Sequence, residues 1–269
     1  MKTIKDIKEI QRLLLDILLE FHEFCDIHNL RYFLGRGTLL GAVRHQGFIP
    51  WDDDMDVFMP RPDYEKFIHL TQKKWSTNLN VISMDTDGFP FPFAKVIDER
   101  IEITEPRLLR DNKGFLFMDV FPIDGSPSNE KEAKKHFYKI EIIKNFYARW
   151  ILYKGSTPIK SISKNVMHLI FRMFTNEKYF PHKLSSLLQK YSFDESEMLV
   201  IWGWGPWEKK AIVKKKSYMA PIKLEFEGEL FWCPGNYDEL LSQTYGNYMM
   251  LPPEEKRVWR HISKIWWRE

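Results

Sequence analysis

Cysteine is nearly absent from this chain: Cys25 and Cys233 are the only two in 269 residues. Two are too few for a disulfide framework or a four-ligand zinc site. Charge of one sign is also lacking, because 40 basic side chains face 37 acidic ones and leave a net +3. Such a balance does not demand nucleic acid, which is not expected as a partner; a phosphate-rich small substrate fits as well. No uncharged run approaches the ~20 residues of a membrane-spanning helix. The N-terminal segment carries acids throughout and has no small-residue cleavage site, so no secretory signal is expected. Internal repeats and low-complexity linkers are missing too. These absences predict a reduced, cytoplasmic protein with one large domain, or a core domain carrying an insertion.

Aromatic residues are abundant, at 15% with ten Trp, a surplus that suits flat ligand surfaces, an interface or a membrane-facing edge as well as core. Apolar residues at Ile4, Ile7, Ile10, Leu14, Ile17, Leu18, Phe21, Phe24 and Cys25 recur at helical spacing, predicting an amphipathic helix over 3–28 with Cys25 in the core. A short strand at 31–34 follows. Gly35-Arg36-Gly37-Thr38 then opens a short helix over 39–45, with Thr38 as its cap and Gly47 as its stop. A strand is expected over 55–59 and a helix over 63–75, with Pro62 in its first turn. Further strands are expected at 79–84, 93–97, 101–104 and 117–121, so residues 1–125 predict α and β elements around one mixed sheet. From Asn129 the texture becomes basic and aromatic, with helices over 130–152, 158–175 and 180–191. Turn signals at 155–158 and Pro181 separate them. Strand-like patterning returns over 211–233, then a helix over 236–246 ending at Gly246.

Asp52-Asp53-Asp54-Met55-Asp56 places four carboxylates in five positions. Like charges this close raise one another's pKa and destabilise the fold. A divalent cation offsets that repulsion, and oxygen-only ligands suit magnesium or manganese. On a strand alternate side chains share a face, so Asp54 and Asp56 project together while Met55 and Val57 enter the core. Asp52 and Asp53 fit turn, supporting or capping roles. A third carboxylate is expected from a neighbouring strand. Asp119, a lone acid inside the apolar Phe117-Met-Asp-Val-Phe121, has that setting, and burying it demands a metal or a basic partner. Asp124, beside Gly125, reads as a turn former.

The glycine turn before the short helix can present backbone amides and a helix N-terminus to a phosphate. It is neither the dinucleotide fingerprint, since the spacing is Gly-x-Gly-x-x-x-Gly, nor a P-loop, since Gly-Lys-Ser/Thr is missing. With the acidic strand some fifteen residues on, it forms a phosphate cradle facing a metal.

Gly37-Thr-Leu-Leu-Gly-Ala-Val-Arg-His45 followed by Gly47-Phe-Ile-Pro-Trp-Asp-Asp-Asp-Met-Asp-Val57 resembles the signature of the LicD family, part of the nucleotidyltransferase-fold superfamily, which includes fukutin-related proteins. The strong match spans about 34–61, with weaker family-like stretches at 93–98, 117–125, 234–241 and 245–261. The resemblance implies an α+β fold with a nucleotidyltransferase-like mixed sheet, flanking helices and an inserted helical module. The expected division is a catalytic core at 1–127, a basic-aromatic helical module at 128–200 on the acceptor or membrane side, and a segment at 201–269 that completes the core. It further implies Asp54, Asp56 and Asp119 as ligands of Mg2+ or Mn2+. The implied activity is transfer of phosphocholine from a CDP-choline donor to a sugar hydroxyl of a teichoic-acid or lipopolysaccharide precursor. That glycan acceptor is expected to be lipid-linked. Arg36 departs from many relatives, which carry a small residue there; it either touches donor phosphate or points to solvent.

Gly37 and Thr38 are expected to hold donor phosphate, while Arg44 or Lys95 neutralises developing charge. His45 and His261 are either proton acceptors for the sugar hydroxyl or structural histidines, and Asp54 or Asp119 is the alternative base. A quaternary ammonium is best held by aromatic faces. Trp202, Trp204 and Trp207, with Tyr237 and Tyr245, form either such a cage or ordinary packing. The basic, aromatic helices of the middle segment either lie on the anionic inner face of a membrane or pack on the core with solvated lysines. Two alternative functions remain open: transfer of a nucleoside monophosphate or another polyol phosphate on the same fold, and non-catalytic choline or glycan binding.

Overall fold

The computed structural model describes residues 2–104, 113–148, 158–174, 176, 178–201, 211–258, 262 and 264–268. The first helix, α1 (Ile7–Ile27), buries Ile10, Leu14, Ile17, Leu18, Phe21 and Cys25 along one face. It is shorter than the periodicity predicts. Asp6 caps it, its carboxylate accepting from the Lys8 amide, and the residues before it join the sheet, where the Ile4 amide donates to the Ile265 carbonyl. Next come β1 (Phe33–Leu34), α2 (Arg36–His45), β2 (Asp56–Pro60), α3 (Arg61–Leu70), β3 (Leu79–Ile82), β4 (Ala94–Thr104) and β5 (Lys113–Ser126). Three helices follow, α4 (Glu130–Tyr147), α5 (Pro158–Phe174) and α6 (Tyr179–Leu188). The chain then forms β6 (Met198–Ile201), β7 (Ile212–Lys214), β8 (Ile222–Phe226), β9 (Glu229–Cys233), α7 (Tyr237–Tyr245) and β10 (Lys264–Trp267).

The fold is α+β around a mixed eight-stranded sheet, as the sequence predicts. Its main path is β1-β2-β5-β4-β10, with β3 on β4 and with β6 joining β5 to β7; β8 and β9 form a separate hairpin. The β2–β5 pair is parallel and the other strand pairs are antiparallel. The two strands expected at 93–97 and 101–104 are one bulged strand, β4. Its register against β5 shifts between Asp98 and Glu102, and a bulge of this kind bends a strand. Asp98 is fully buried there and takes both Nε and Nη2 of Arg100. Strands β6 and β10 are not expected from the local pattern; each is four residues long and finds its place only against a partner strand. Pro181 does not separate helices; it sits in the first turn of α6, where its missing N–H costs nothing.

Two cores flank the sheet. Met55, Val57, Ala94, Val96, Met118 and Val120 point toward α1 on one face, an aliphatic layer. Phe33, Phe58, Phe93 and Phe121 point the other way, toward Ile140 and Tyr147 of α4 and Leu184 and Leu188 of α6. Alternate positions of β2 and β5 therefore divide between the two layers, as a pleated strand requires, except that Phe117 packs against the aliphatic core.

Candidate active site

The acidic run enters β2 in the predicted alternation. Met55 and Val57 are buried in the aliphatic core, so Asp54 and Asp56 belong to the opposite, phenylalanine-lined face. In the parallel β2–β5 pairing Asp56 lies directly opposite Asp119, and in the antiparallel β4–β5 pairing Lys95 lies opposite Asp119. The result is a row across three adjacent strands: carboxylate, carboxylate, ammonium. Strand spacing puts successive members about 4.8 Å apart in backbone. Lys95 is buried, with Nζ 3.7 Å from Asp119 Oδ1 and 3.1 Å from the centroid of the Phe117 ring. Thus the one ammonium in the row is held between a carboxylate and an aromatic face.

Helix α2 closes one side of the row. Its N-cap is Gly35, not Thr38, and it starts at Arg36. Thr38 instead serves the sheet, where its hydroxyl accepts from the Asp56 amide at 2.9 Å and fixes the first residue of β2. The helix ends on Gln46, which adopts a left-handed conformation (φ 55°), so Gly47 is not its stop. A Cβ at Gly37 would lie 2.7 Å from Asp52 Oδ2, so a side chain there would displace the Asp52 carboxylate. Arg36 does not point to solvent. It is half-buried, with its guanidinium 4.2 Å from the Phe121 ring centroid and 5.7 Å from that of Phe58, beside Asp56.

Electrostatics mark the cluster as over-supplied with negative charge. Burial pushes the Asp56 carboxyl well above the usual range; Asp54 and Asp119 push the same way, against Arg36 and Lys95. Burial also raises Asp52 strongly, helped by the charge of Asp54 and a hydrogen bond shared with it. A carboxyl raised in this way holds its proton more tightly, and a bound cation would favour its release. Oxygen-only donors in this charge state fit a hard divalent ion such as Mg2+. Among the described residues no group of three or more His, Cys, Asp or Glu side chains is placed so that it could hold a metal ion as it stands.

The remaining expected residues have other engagements. Arg44 donates from Nη1 to the Tyr248 carbonyl (2.7 Å) and from Nε to His45 Nε2 (3.0 Å). Burial, and then Arg44, lower the His45 pKa, so that nitrogen is a neutral ring's acceptor. Asp124 is no turn former: it is buried inside β5 and takes Nε and Nη2 of Arg61 at 2.6 and 2.7 Å. Trp202, Trp204, Trp207 and His261 lie outside the described residues.

Gln11 and Glu227 are supporting residues that escape sequence reasoning; Asp53 and Tyr245 are named by it, but their partners are not. Gln11, on the apolar face of α1, donates through Nε2 to the carbonyls of Ile49 and Asp52 and holds the loop from behind. A lone amide in an apolar stripe is the signal that would have found it. Asp53 is buried and accepts from the Ile262 amide, tying the acidic run to the C-terminal segment. Glu227, at the tip of the β8–β9 hairpin, accepts from the Phe48 amide, and its own amide donates to the Gln46 carbonyl. The Tyr245 phenol, its pKa raised first by burial and then by Asp56, sits beside the acidic cluster. Contacts of this length in sequence leave no local pattern.

Residues 29–153 match the family described as LicD/FKTN/FKRP, nucleotidyltransferase domain. The chain is 33% identical over 268 residues, 97% of each protein, to the lipopolysaccharide cholinephosphotransferase LicD of Haemophilus influenzae. It is also 46% identical over 59 residues to an uncharacterised protein of Rickettsia prowazekii, covering 22% of this chain and 21% of that one. A row of Asp56, Asp119 and Lys95 beside a glycine-led helix, together with similarity along nearly the whole length, leads to one conclusion: the chain belongs to the LicD family.

Proposed function

We propose that this protein transfers phosphocholine from CDP-choline to a sugar hydroxyl of a surface-glycan precursor, releasing CMP. The observation that carries the reading is the cross-strand row of Asp56, Asp119 and Lys95, with Arg36 beside it. Similarity to a lipopolysaccharide cholinephosphotransferase supplies the chemical class. Phosphoryl transfer asks a protein mainly for positioning and charge compensation. Asp54, Asp56 and Asp119 would hold a divalent ion, which neutralises charge on the phosphoryl oxygens and orients them for in-line displacement. Helix amides at Gly37 and Thr38 face the donor phosphate, where an α-helix presents unpaired N–H groups. Arg36 and Lys95 offset the charge that grows on the leaving phosphate. The sugar oxygen forms the new bond to the choline-bearing phosphorus as the bond to CMP breaks. Its proton goes to Asp54 or Asp119. Tyr245 offers the quaternary ammonium an aromatic face near the acidic cluster.

The test is incubation of the protein with CDP-choline, magnesium and either teichoic-acid or lipopolysaccharide precursors. Glycan-dependent CMP release, lost on chelation and in Asp119→Asn, is the expected result. Pyrophosphate release from a nucleoside triphosphate, with no CMP from CDP-choline, would overturn the reading in favour of nucleotidyl transfer. Binding of choline without turnover of either donor would reduce the protein to a binding module.

A further inference from the structure

Helix α5 is arranged inside out. Ile162, Val166, Leu169, Ile170 and Met173 are 63, 53, 64, 43 and 73% exposed. Their spacing of four, three, one and three residues puts them on one stripe. Lys164, Met167 and His168, on the other side of the helix, are half-buried. A helix on the surface of a water-soluble protein does the reverse, turning its apolar stripe inward. Contiguous apolar surface of this kind marks a contact face.

The charge on the helix selects the occupant. Between 158 and 174 the sequence holds Lys160, Lys164 and Arg172 and no Asp or Glu, and Glu177 is the one acid as far as residue 191. Packing this stripe against the same stripe of a second copy would bring two wholly cationic helices together, which Coulomb repulsion opposes. An anionic lipid surface offers apolar chains for the stripe and a negative potential that attracts the net positive charge of the helix. With 17 residues the helix is about 25 Å long. No helix among the described residues is long and apolar enough to cross a membrane, so the stripe fits a helix lying in the plane of the interface.

We propose that α5 docks this protein on an anionic phospholipid surface, with its apolar stripe among the acyl chains and the body of the protein above it. This inference is independent of the proposed reaction. The first experiment is co-sedimentation of the full chain with vesicles of phosphatidylcholine and phosphatidylglycerol, compared with phosphatidylcholine alone. Binding to the anionic vesicles is expected, weaker at high salt because surface attraction is screened. The triple variant Ile162→Ser, Leu169→Ser, Met173→Ser is expected to reduce it about tenfold or more. Because that variant could misfold, a second measurement uses Met173→Cys carrying an environment-sensitive fluorophore. Both native cysteines are buried, so the label goes to position 173. Its emission is expected to shift to the blue on anionic vesicles and to be quenched by spin labels in the lipid tails. No sedimentation by wild type, or a label that stays in water, would overturn the proposal. So would a wild-type dimer in solution that the triple variant dissolves, which would assign the stripe to a second copy of the chain.

Discussion

The two faces of the central sheet obey different rules. Toward α1 the strands present Met55, Val57, Val96, Met118 and Val120, aliphatic groups whose only requirement is to fill space. Toward α4 and α6 the same strands present Phe58, Phe93 and Phe121, and set into that layer are Asp56, Asp119 and Lys95. The aliphatic face gains from burial alone. The aromatic face tolerates charge because ring faces and opposite charges accompany it: Lys95 lies over Phe117, and Arg36 over Phe121. One face holds the fold together, and the other accepts a cost in stability to keep carboxylates close. That trade is the usual mark of a functional site.

Replacement of residues on either face should separate these roles. Under the proposed function the largest effect is expected from Asp56→Asn, which should lower CMP release by about a thousandfold or more, the loss expected if this carboxylate holds the ion. The same change should stabilise the ion-free protein by roughly 1 kcal/mol. The folded state raises the Asp56 pKa, so this carboxyl favours folding at low pH and loses that contribution as pH rises through its folded value. The stability advantage of the variant should therefore be larger at pH 8 than at pH 5, which thermal melts in chelator would show. An advantage independent of pH would mean that burial does not strain this carboxylate.

Leu14→Ala, on the aliphatic side, should cost about 2–5 kcal/mol of stability by opening a cavity. Activity per folded molecule should stay the same, and denaturant titration beside the CMP assay checks both. A loss of activity without loss of stability would break the division between the faces. Lys95→Met keeps the apolar stem but removes the ammonium facing Asp119, so turnover should fall about a hundredfold. Unchanged turnover would make Lys95 a purely structural partner of Asp119. The smallest effect is expected from Thr38→Val, which leaves the buried Asp56 amide without its hydroxyl acceptor, at about 1–2 kcal/mol. Wild-type stability in that variant would show that the amide finds another partner.

Much of this was legible in the chain. The alternation through Asp54-Met-Asp-Val57 gave the facing of β2, and the apolar setting of Asp119 placed it on a neighbouring strand. The long amphipathic period located α1. What local pattern misplaces is the role of polar residues with distant partners. Thr38 resembled a helix cap but serves β2, and Asp124 resembled a turn residue but pairs with Arg61, 63 positions away. Arg36 offered no clue to its position over Phe121, since that depends on how α2 leans on the sheet.

The sequence by itself determined that aspartates would crowd one strand face next to a glycine-led helix, because side-chain period and charge repulsion act over a few residues. Only the tertiary structure decided which strand stands next to which. That pairing set Asp119 between Asp56 on one side and Lys95 on the other, because strand register is fixed by packing across the whole sheet. The same holds for α5: its composition announced an amphipathic helix, and the fold alone turned the apolar side outward.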